Sequence, residues 1–155
     1  MTNPESATRE PAELIRSIEA ELRSRDIDTL LMLSREDSDG VLAKILNTHV
    51  VAQTAIFFNA TGKHIVLTGR TDAMAYEIFP FFDEIIAMED EFEVEFLRVF
   101  ERLAPRSVAL NICEDDAELD GLRWGLYAQL QDILGEERLA ALEVSSADLL
   151  RRVFA

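Results

Sequence analysis

The sequence predicts a layered α/β domain built on a mixed β-sheet. Short apolar runs with strand character alternate with amphipathic helical segments along the chain, which is typical of layered α/β folds. Gly62 lies between two β-type runs and supplies the positive φ of a tight hairpin, so at least one strand pair is antiparallel. The 155 residues are 48% hydrophobic, enough to bury one core without disulfides.

The first half of the chain opens with a helix and continues mainly with strands. Apolar residues at helical spacing predict an amphipathic helix over residues 11–25: Leu14, Ile15, Ile18 and Leu22. Strands are predicted over 29–33, 53–59, 64–68 and 84–87, and short helices over 41–46 and 71–78. Thr71 or Asp72 is the expected N-cap of the helix over 71–78, and Pro80 ends it.

The second half contains two amphipathic helices, two strands and a final helix. One helical face is marked by five apolar residues before Pro105: Phe92, Phe96, Val99, Phe100 and Leu103. A buried strand over 107–112 is followed by an acidic loop and a helix over 122–134, for which Gly135 is a natural C-cap. An edge strand is predicted over 142–144, and Ser145 or Ser146 caps a last helix that runs through Val153. We expect residues 11–155 to form a single domain after a flexible segment, residues 1–10.

The charge balance argues against several classes of partner. Fifteen basic residues face thirty acidic ones, for a net charge of −15, so the surface repels both phosphate backbones and anionic lipid headgroups. We therefore expect no nucleic-acid or membrane partner. The segment 1–10 lacks the order of a signal peptide, and no apolar run reaches the roughly 18 residues of a membrane span. A cytoplasmic location is the expectation.

Residues that could carry catalysis are few. His49 and His64 are the only histidines and have no second ligand at metal-binding spacing, so packed or surface roles are favoured for both. Cys113 is alone, which favours a buried inert thiol over a nucleophile. A calcium-loop alignment of the acidic run 114–121 fails because its last ligand position is Tyr127. No catalytic residue, metal ligand or cofactor is predicted within this chain.

Two polar loops give the remaining functional signal. Arg35, Glu36 and Asp37 follow the strand 29–33, and Asn111 and Asp115 lie at the end of the strand 107–112. If these strands are parallel, both loops lie at the carboxyl edge of the sheet, where α/β domains bind ligands and partners. The alternative is that both loops merely cap helices.

Several short motifs in this chain resemble one family. Ala109-Leu110-Asn111, an acidic loop, Asp120-Gly121-Leu122 and Gly125-Leu126-Tyr127 occur in the order found in the N-terminal domain of creatinase, prolidase and Xaa-Pro aminopeptidases. Ser34-Arg35-Glu36 and Ser145-Ser146-Ala147-Asp148 resemble two further stretches of that domain. The similarity runs from about Pro11 to the C-terminus. The chain departs from the family at Ile45-Leu46-Asn47-Thr48, where members often carry Tyr/Phe-Leu-Thr-Gly.

The resemblance implies a three-layer, ribonuclease-H-like α/β fold with mixed sheet and without nuclease chemistry. It also implies a second, pita-bread domain that holds two metal ions of the Mn, Co or Zn type, none of whose ligands can be matched here. In the family, the N-terminal domain packs on the catalytic domain, shapes substrate access and builds a homodimer.

Two functional hypotheses follow. The first is a non-catalytic accessory and oligomerisation domain of a Xaa-Pro peptidase, with the catalytic domain in the same or a separate chain. The second is a stand-alone ligand-binding or interaction domain that uses the loops around Arg35 and Asn111. In either case Arg35, Glu36, Asp37, Asn111 and Asp115 are the candidate substrate or interface residues.

Overall fold

The structure, a computed structural model, describes residues 9–155 and is built around one six-stranded mixed sheet. The strands are β1 (Thr29–Ser34), β2 (Thr54–Asn59), β3 (His64–Thr68), β4 (Phe82–Ala87), β5 (Val108–Leu110) and β6 (Glu143–Ser145). Their order across the sheet is β4-β3-β2-β1-β5-β6. The pairs β1–β2 and β2–β3 are antiparallel, and the other three pairs are parallel.

Seven α-helices within residues 9–155 cover the two faces of this sheet. They are α1 (Pro11–Ser24), α2 (Gly40–Leu46), α3 (Arg70–Tyr76), α4 (Phe92–Leu103), α5 (Trp124–Leu134), α6 (Glu136–Leu142) and α7 (Ala147–Val153). One core cluster joins the first face of the sheet to α1, α2, α3 and α7. A second cluster joins the opposite face to α4, α5 and α6. The fold is therefore a three-layer α/β arrangement, as predicted.

The central strands are buried on both faces, which explains their continuous apolar sequence. Every residue of β1 and β2 is buried. Leu30 and Met32 of β1 pack in the first core cluster, whereas Leu31 and Leu33 pack in the second. The alternation of side chains along a strand thus divides one apolar run between two cores.

The topological predictions from the sequence are confirmed. β2 and β3 form the hairpin at Gly62, which has φ +86°. β1 and β5 are parallel neighbours, so the loops after them do share the carboxyl edge of the sheet. β6 is an edge strand, as expected for residues 142–144.

Two local predictions differ from the structure. Gly135 ends α5 with φ +89°, but the chain begins α6 at the next residue, a helix that the sequence analysis did not predict. The N-cap of α3 is Gly69 rather than Thr71 or Asp72. The Asp72 carboxylate instead accepts a hydrogen bond from the Ala52 backbone N–H, at 2.8 Å, and so ties α3 to the segment before β2.

The edge strand β4 is irregular and carries acidic residues. Its pairing with β3 shifts register between His64 and Ile65. Asp83 is exposed on β4, and the neighbouring Glu84 forms a two-fold ion pair with Arg102 of α4, at 2.8 and 2.9 Å. This edge therefore presents charge where its backbone has no further strand partner.

Part of the predicted flexible segment 1–10 lies outside the described residues, because the description begins at Arg9. The Arg9 guanidinium donates a hydrogen bond to the Val153 carbonyl at the end of α7. Within the described chain, every helix is too short or too polar to cross a bilayer.

Candidate functional site

The carboxyl edge of β1 and β5 brings together most of the residues singled out from the sequence. Arg35, Glu36 and Asp37 directly follow β1, and Asn111 directly follows β5. Because β1 and β5 are parallel, both loops leave the same edge of the sheet, although β1 continues to Ser34, three residues beyond Leu31, the partner of Leu110. The side chains, however, have quite different environments.

Asn111 is buried inside this edge, with only 1% of its surface exposed. Its amide nitrogen donates to Asp39 Oδ2 at 2.8 Å, and its amide oxygen accepts from the Ser146 hydroxyl at 2.6 Å. Both ends of the amide are therefore occupied by partners from the loop after β1 and from the start of α7. The Asn111 side chain joins three segments that are far apart in the sequence.

Asp39 is the centre of this arrangement and was not singled out from the sequence. Its Oδ1 accepts hydrogen bonds from the Val41 and Leu42 backbone N–H groups and so caps α2. Its own N–H donates to the Ser34 hydroxyl at 3.2 Å. We call the group Ser34, Asp39, Asn111, Gly121 and Ser146 the buried polar junction.

Gly121 belongs to this junction because only a glycine fits against the Asp39 carboxylate. A Cβ atom built on Gly121 would overlap Asp39 Oδ1 and would lie 2.6 Å from its Cγ. Contacts that short do not occur between real side chains, so either the loop or the carboxylate would have to move. The Asp120-Gly121-Leu122 motif is thus explained by packing against Asp39.

Burial raises the pKa of the Asp39 carboxyl above its ordinary value, and the hydrogen bonds from Asn111 and from the α2 backbone act in the opposite direction. The Val41 N–H, the Leu42 N–H and the Asn111 amide all donate hydrogen bonds to the Asp39 carboxylate. This pattern suits the ionised carboxylate, which can only accept. Asp39, Asn111 and Ser146 are each at most 1% exposed, which leaves no open path for proton exchange with a substrate. Its geometry fits a structural role better than acid–base chemistry.

The loop after β1 is fixed through its backbone and through Asp37. Glu36 and Asp37 adopt left-handed φ angles of 49° and 57°, and their N–H groups donate to the carbonyls of Val51 and Val50. The Asp37 carboxylate accepts from the Val50 N–H at 2.6 Å and contacts His49 Nδ1 at 2.7 Å. The Val50 hydrogen bond, followed by the one from His49, holds the pKa of Asp37 below its ordinary value.

This fixed loop presents an exposed surface beside the N-terminus of α5. Arg35 is exposed, and its Nη2 atom lies 3.4 Å from the position that a Cβ on Gly125 would take. Trp124 is 73% exposed and stacks on Tyr127, and Val51 is 59% exposed. We call the group Arg35, Glu36, Val51 and Trp124 the Arg35–Trp124 surface. Trp124 was not singled out from the sequence, although it is the only tryptophan of the chain and tryptophan is enriched at interfaces.

Asp115 lies on the second loop, away from Arg35. Its carboxylate accepts from the Cys113 thiol at 3.1 Å and pairs with Arg151 of α7 at 3.4 Å. These two groups, the thiol first, lower the pKa of Asp115. The five predicted site residues therefore divide among three environments rather than lining one pocket.

A sizeable cavity lies beside these residues rather than among them. A cleft of about 780 Å³ opens between α2, the loop 116–123 and α7. Charged residues from all three segments line it: Lys44, Asp116, Glu118, Asp120, Arg123 and Arg151. We call it the α2–α7 cleft. Its cations Lys44, Arg123 and Arg151 are far apart in the sequence, so no local pattern could have pointed to it.

Metal-ligating side chains are dispersed in the described chain. Among residues 9–155, no group of three or more His, Cys, Asp and Glu side chains is placed to hold a metal ion. His64 is fully buried, its Nδ1 accepts from the Asn59 N–H and its Nε2 contacts Glu19 at 2.7 Å. It is a packed histidine, as the sequence interpretation favoured.

Comparison with solved structures identifies the fold. The aminopeptidase P (Xaa-Pro aminopeptidase) from Streptococcus thermophilus matches with a TM-score of 0.66 at 12% identity, covering 94% of this chain and 98% of that one. The creatinase/prolidase N-terminal domain of a Xaa-Pro dipeptidase from Streptococcus pyogenes matches with a TM-score of 0.65 at 10% identity, covering 92% and 98%.

A longer solved structure shows how much of a whole peptidase chain this fold covers. The Xaa-Pro dipeptidase from Bacillus anthracis matches with a TM-score of 0.62 at 14% identity, covering 93% of this chain but 36% of that one. No protein-family model and no curated protein matches the sequence significantly. The chain therefore has the fold of the creatinase/prolidase N-terminal domain, which confirms the fold that the motif resemblance implied, and it spans about a third of the full-length dipeptidase.

Proposed function

We propose that this chain acts as the non-catalytic N-terminal domain of a metal-dependent Xaa-Pro peptidase. The observation that carries the proposal is the fold match over more than nine-tenths of the chain to a solved creatinase/prolidase N-terminal domain. The match to only 36% of the Bacillus anthracis dipeptidase supports a division of labour between this domain and a second one.

In this proposal the chemistry belongs to the second domain. A pita-bread catalytic domain, in the same polypeptide or in a separate one, carries the two metal ions of the Mn, Co or Zn type. No catalytic residue, metal ligand or cofactor is assigned to this chain. The assembly is a cytoplasmic homodimer in which this domain shapes the entrance to the catalytic centre.

The Arg35–Trp124 surface is the part of the domain best suited to that contact. Tryptophan and arginine are the residue types that most often carry interface binding energy. Asp37 fixes the loop through Val50 and His49, so Arg35 and Glu36 are presented on a rigid support. In this proposal Asn111 supports the surface indirectly, through its hydrogen bond to Asp39. Asp115, on the loop after β5, is a second candidate contact with the catalytic domain or the partner subunit.

The stand-alone ligand-binding hypothesis has weaker support. It needs Asn111 to contact a ligand, yet the amide of Asn111 is already bonded to Asp39 and Ser146. Arg35 alone could still bind a carboxylate through its planar guanidinium. The bonded state of Asn111 thus argues against the stand-alone hypothesis.

The first experiment assays the purified 155-residue chain with Xaa-Pro peptides in the presence of added manganese or cobalt. We expect no hydrolysis above a metal-only blank. Metal-dependent cleavage by this chain, with two bound ions per chain, would refute the proposal.

The second experiment uses the complete native assembly, isolated through this chain from its source. We expect Xaa-Pro hydrolysis to co-purify with it, and Arg35→Ala or Trp124→Ala to lower kcat/KM or weaken the dimer by about tenfold. Arg16→Ala on the exposed side of α1 is the matched control and should change neither. A peptidase-free assembly, or equal behaviour of all three variants, would contradict the proposed role.

A further inference from the structure

The α2–α7 cleft has the size and shape of a small-molecule site. Its volume of about 780 Å³ lies within the range of 300 to roughly 1,000 Å³ that ligand pockets occupy. It is formed by one side of α2, by residues 116–123 and by the C-terminal half of α7.

The floor of the cleft is apolar. Val41, Leu119 and Leu150 are buried there, and Phe154 is partly buried beside them. The Lys44 ammonium lies over the Phe154 ring, 4.5 Å from its centroid. An aliphatic or aromatic group could pack on this floor while the ammonium of Lys44 stays at the rim.

The rim carries both signs of charge, and the segment 116–123 itself contributes acidic residues as well as Arg123. Lys44 on α2 and Arg123 before α5 form no ion pair within residues 9–155, whereas Arg151 pairs with Asp115 and Asp148. The carboxylates of Asp116 and Asp120 accept hydrogen bonds from the Glu118 and Cys113 N–H groups of their own loop. Lys44 and Arg123 thus offer positive charge to a ligand, and Glu118 is an acidic group of the same lining.

We propose that the α2–α7 cleft binds a small zwitterion with an apolar side chain, of the size of an amino acid or dipeptide. The ligand carboxylate contacts Lys44 and Arg123, its ammonium contacts Glu118, and its side chain packs on Phe154 and on the small exposed part of Leu119. This site is separate from the Arg35–Trp124 surface, and the inference does not depend on the peptidase proposal.

Charge argues for a zwitterion over a simple ion. The net charge of −15 disfavours the approach of a simple anion to this protein. A simple cation would meet the positive charges of Lys44 and Arg123 at the rim. A zwitterion has no net charge, so it is repelled neither by the acidic protein as a whole nor by the cations of the rim. Its carboxylate and ammonium groups can each face a rim residue of opposite charge.

The test is a titration of the 155-residue chain with glycyl-leucine, followed by backbone amide NMR shifts. We expect saturable shifts confined to α2, residues 116–123 and α7, with a dissociation constant below about 10 mM. Trp124, the only tryptophan, directly follows Arg123 and gives a parallel fluorescence signal. N-acetyl-glycyl-leucine and glycyl-leucinamide, which each lack one charge, should bind about tenfold more weakly.

The two lysines of the chain provide a matched pair of variants. Lys44→Met keeps the aliphatic stem on Phe154 and removes the charge, and we expect it to weaken binding by about tenfold or more. Lys63→Met, in the β2–β3 turn at the opposite end of the sheet, should leave binding unchanged. Arg123→Gln serves as a second test that does not touch the packing of Phe154.

Three results would overturn the inference. These are no saturable binding at about 10 mM, shifts centred outside the cleft, or equal binding of the free, acetylated and amidated peptides. Equal affinity of the Lys44→Met, Arg123→Gln and Lys63→Met variants would be just as decisive, because the amide spectra report folding separately.

Discussion

The buried polar junction and the Arg35–Trp124 surface lie at the same edge of the sheet, yet they use their polar residues in opposite ways. In the junction, Asp39, Asn111 and Ser146 satisfy one another and are closed to solvent. On the surface, Arg35 and Trp124 point outward from a loop that other residues fix. The junction holds the fold together, and the surface remains available for a partner.

This difference affects how the motif resemblance is interpreted. Asn111, Gly121 and Ser146 belong to the stretches that most resemble the creatinase/prolidase N-terminal domain, and all three lie in the junction. Their pattern therefore reports how the two loops and α7 pack against Asp39. A functional role has to be argued from Arg35 and its exposed neighbours instead.

Gly121→Ala should have the largest effect on stability, because its methyl group would overlap the Asp39 carboxylate. We expect a loss of about 2–4 kcal/mol in the free energy of unfolding, measured by urea denaturation. Gly40→Ala is the control, since a Cβ there meets nothing within 4 Å. Equal stability of both variants would show that Gly121 does not lie as close to the Asp39 carboxylate as the structure places it.

Asp39→Asn should cost somewhat less, about 1–3 kcal/mol, because an amide group would oppose either the Asn111 donor or the α2 N–H donors. The exchanged pair Asp39→Asn with Asn111→Asp restores donor–acceptor matching, because the carboxylate introduced at position 111 can accept from both the new amide at position 39 and the Ser146 hydroxyl. A double-mutant cycle should therefore show recovery of stability in the double variant. Additive losses would indicate that these side chains do not interact directly.

Asp37→Asn should have a smaller effect that depends on pH. Because the folded state lowers the pKa of Asp37, its contribution to stability is complete well above the ordinary value of 3.8 and is lost as the pH falls below it. The difference in unfolding free energy between wild type and variant should shrink toward zero in acid. A difference that is constant down to the acid transition would exclude a contribution from the Asp37 charge.

Arg35→Ala and Trp124→Ala should have the smallest effect on stability, within about 0.5 kcal/mol, since both side chains are exposed. Denaturation of the isolated chain gives this value directly. A loss comparable to that of Asp39→Asn would show that Arg35 and Trp124 also stabilise the fold. The buried polar junction and the Arg35–Trp124 surface would then not differ in role.

Much of the fold could be predicted because it depends on local pattern. The continuous apolar runs of β1 and β2 and the hairpin at Gly62 are visible in the sequence, and these fix the mixed sheet. The helix α6 was missed because Gly135 reads as a helix end, whereas here it ends one helix and begins the next. The sequence pattern around such a glycine does not show whether a second helix begins directly after the first one ends.

The sequence predicted which edge of the sheet carries the candidate site, but not which side chains contact one another there. The parallel pairing of β1 and β5 correctly placed the loops of Arg35 and Asn111 together. The partners of Asn111 come from residues 39 and 146, which no local spacing connects. The α2–α7 cleft was missed for the same reason, since its rim is assembled from three separate elements.

The acidic edge strand β4 has a practical consequence for handling this protein. Its outer backbone groups could recruit a strand from another molecule, and Asp83 together with the irregular pairing at His64 opposes such growth. Neutralising that aspartate would leave Glu84, which is already paired with Arg102, as the remaining acidic residue of this strand. Samples altered in this way should precipitate at lower concentration and form ordered aggregates more readily, even though their native packing is unchanged.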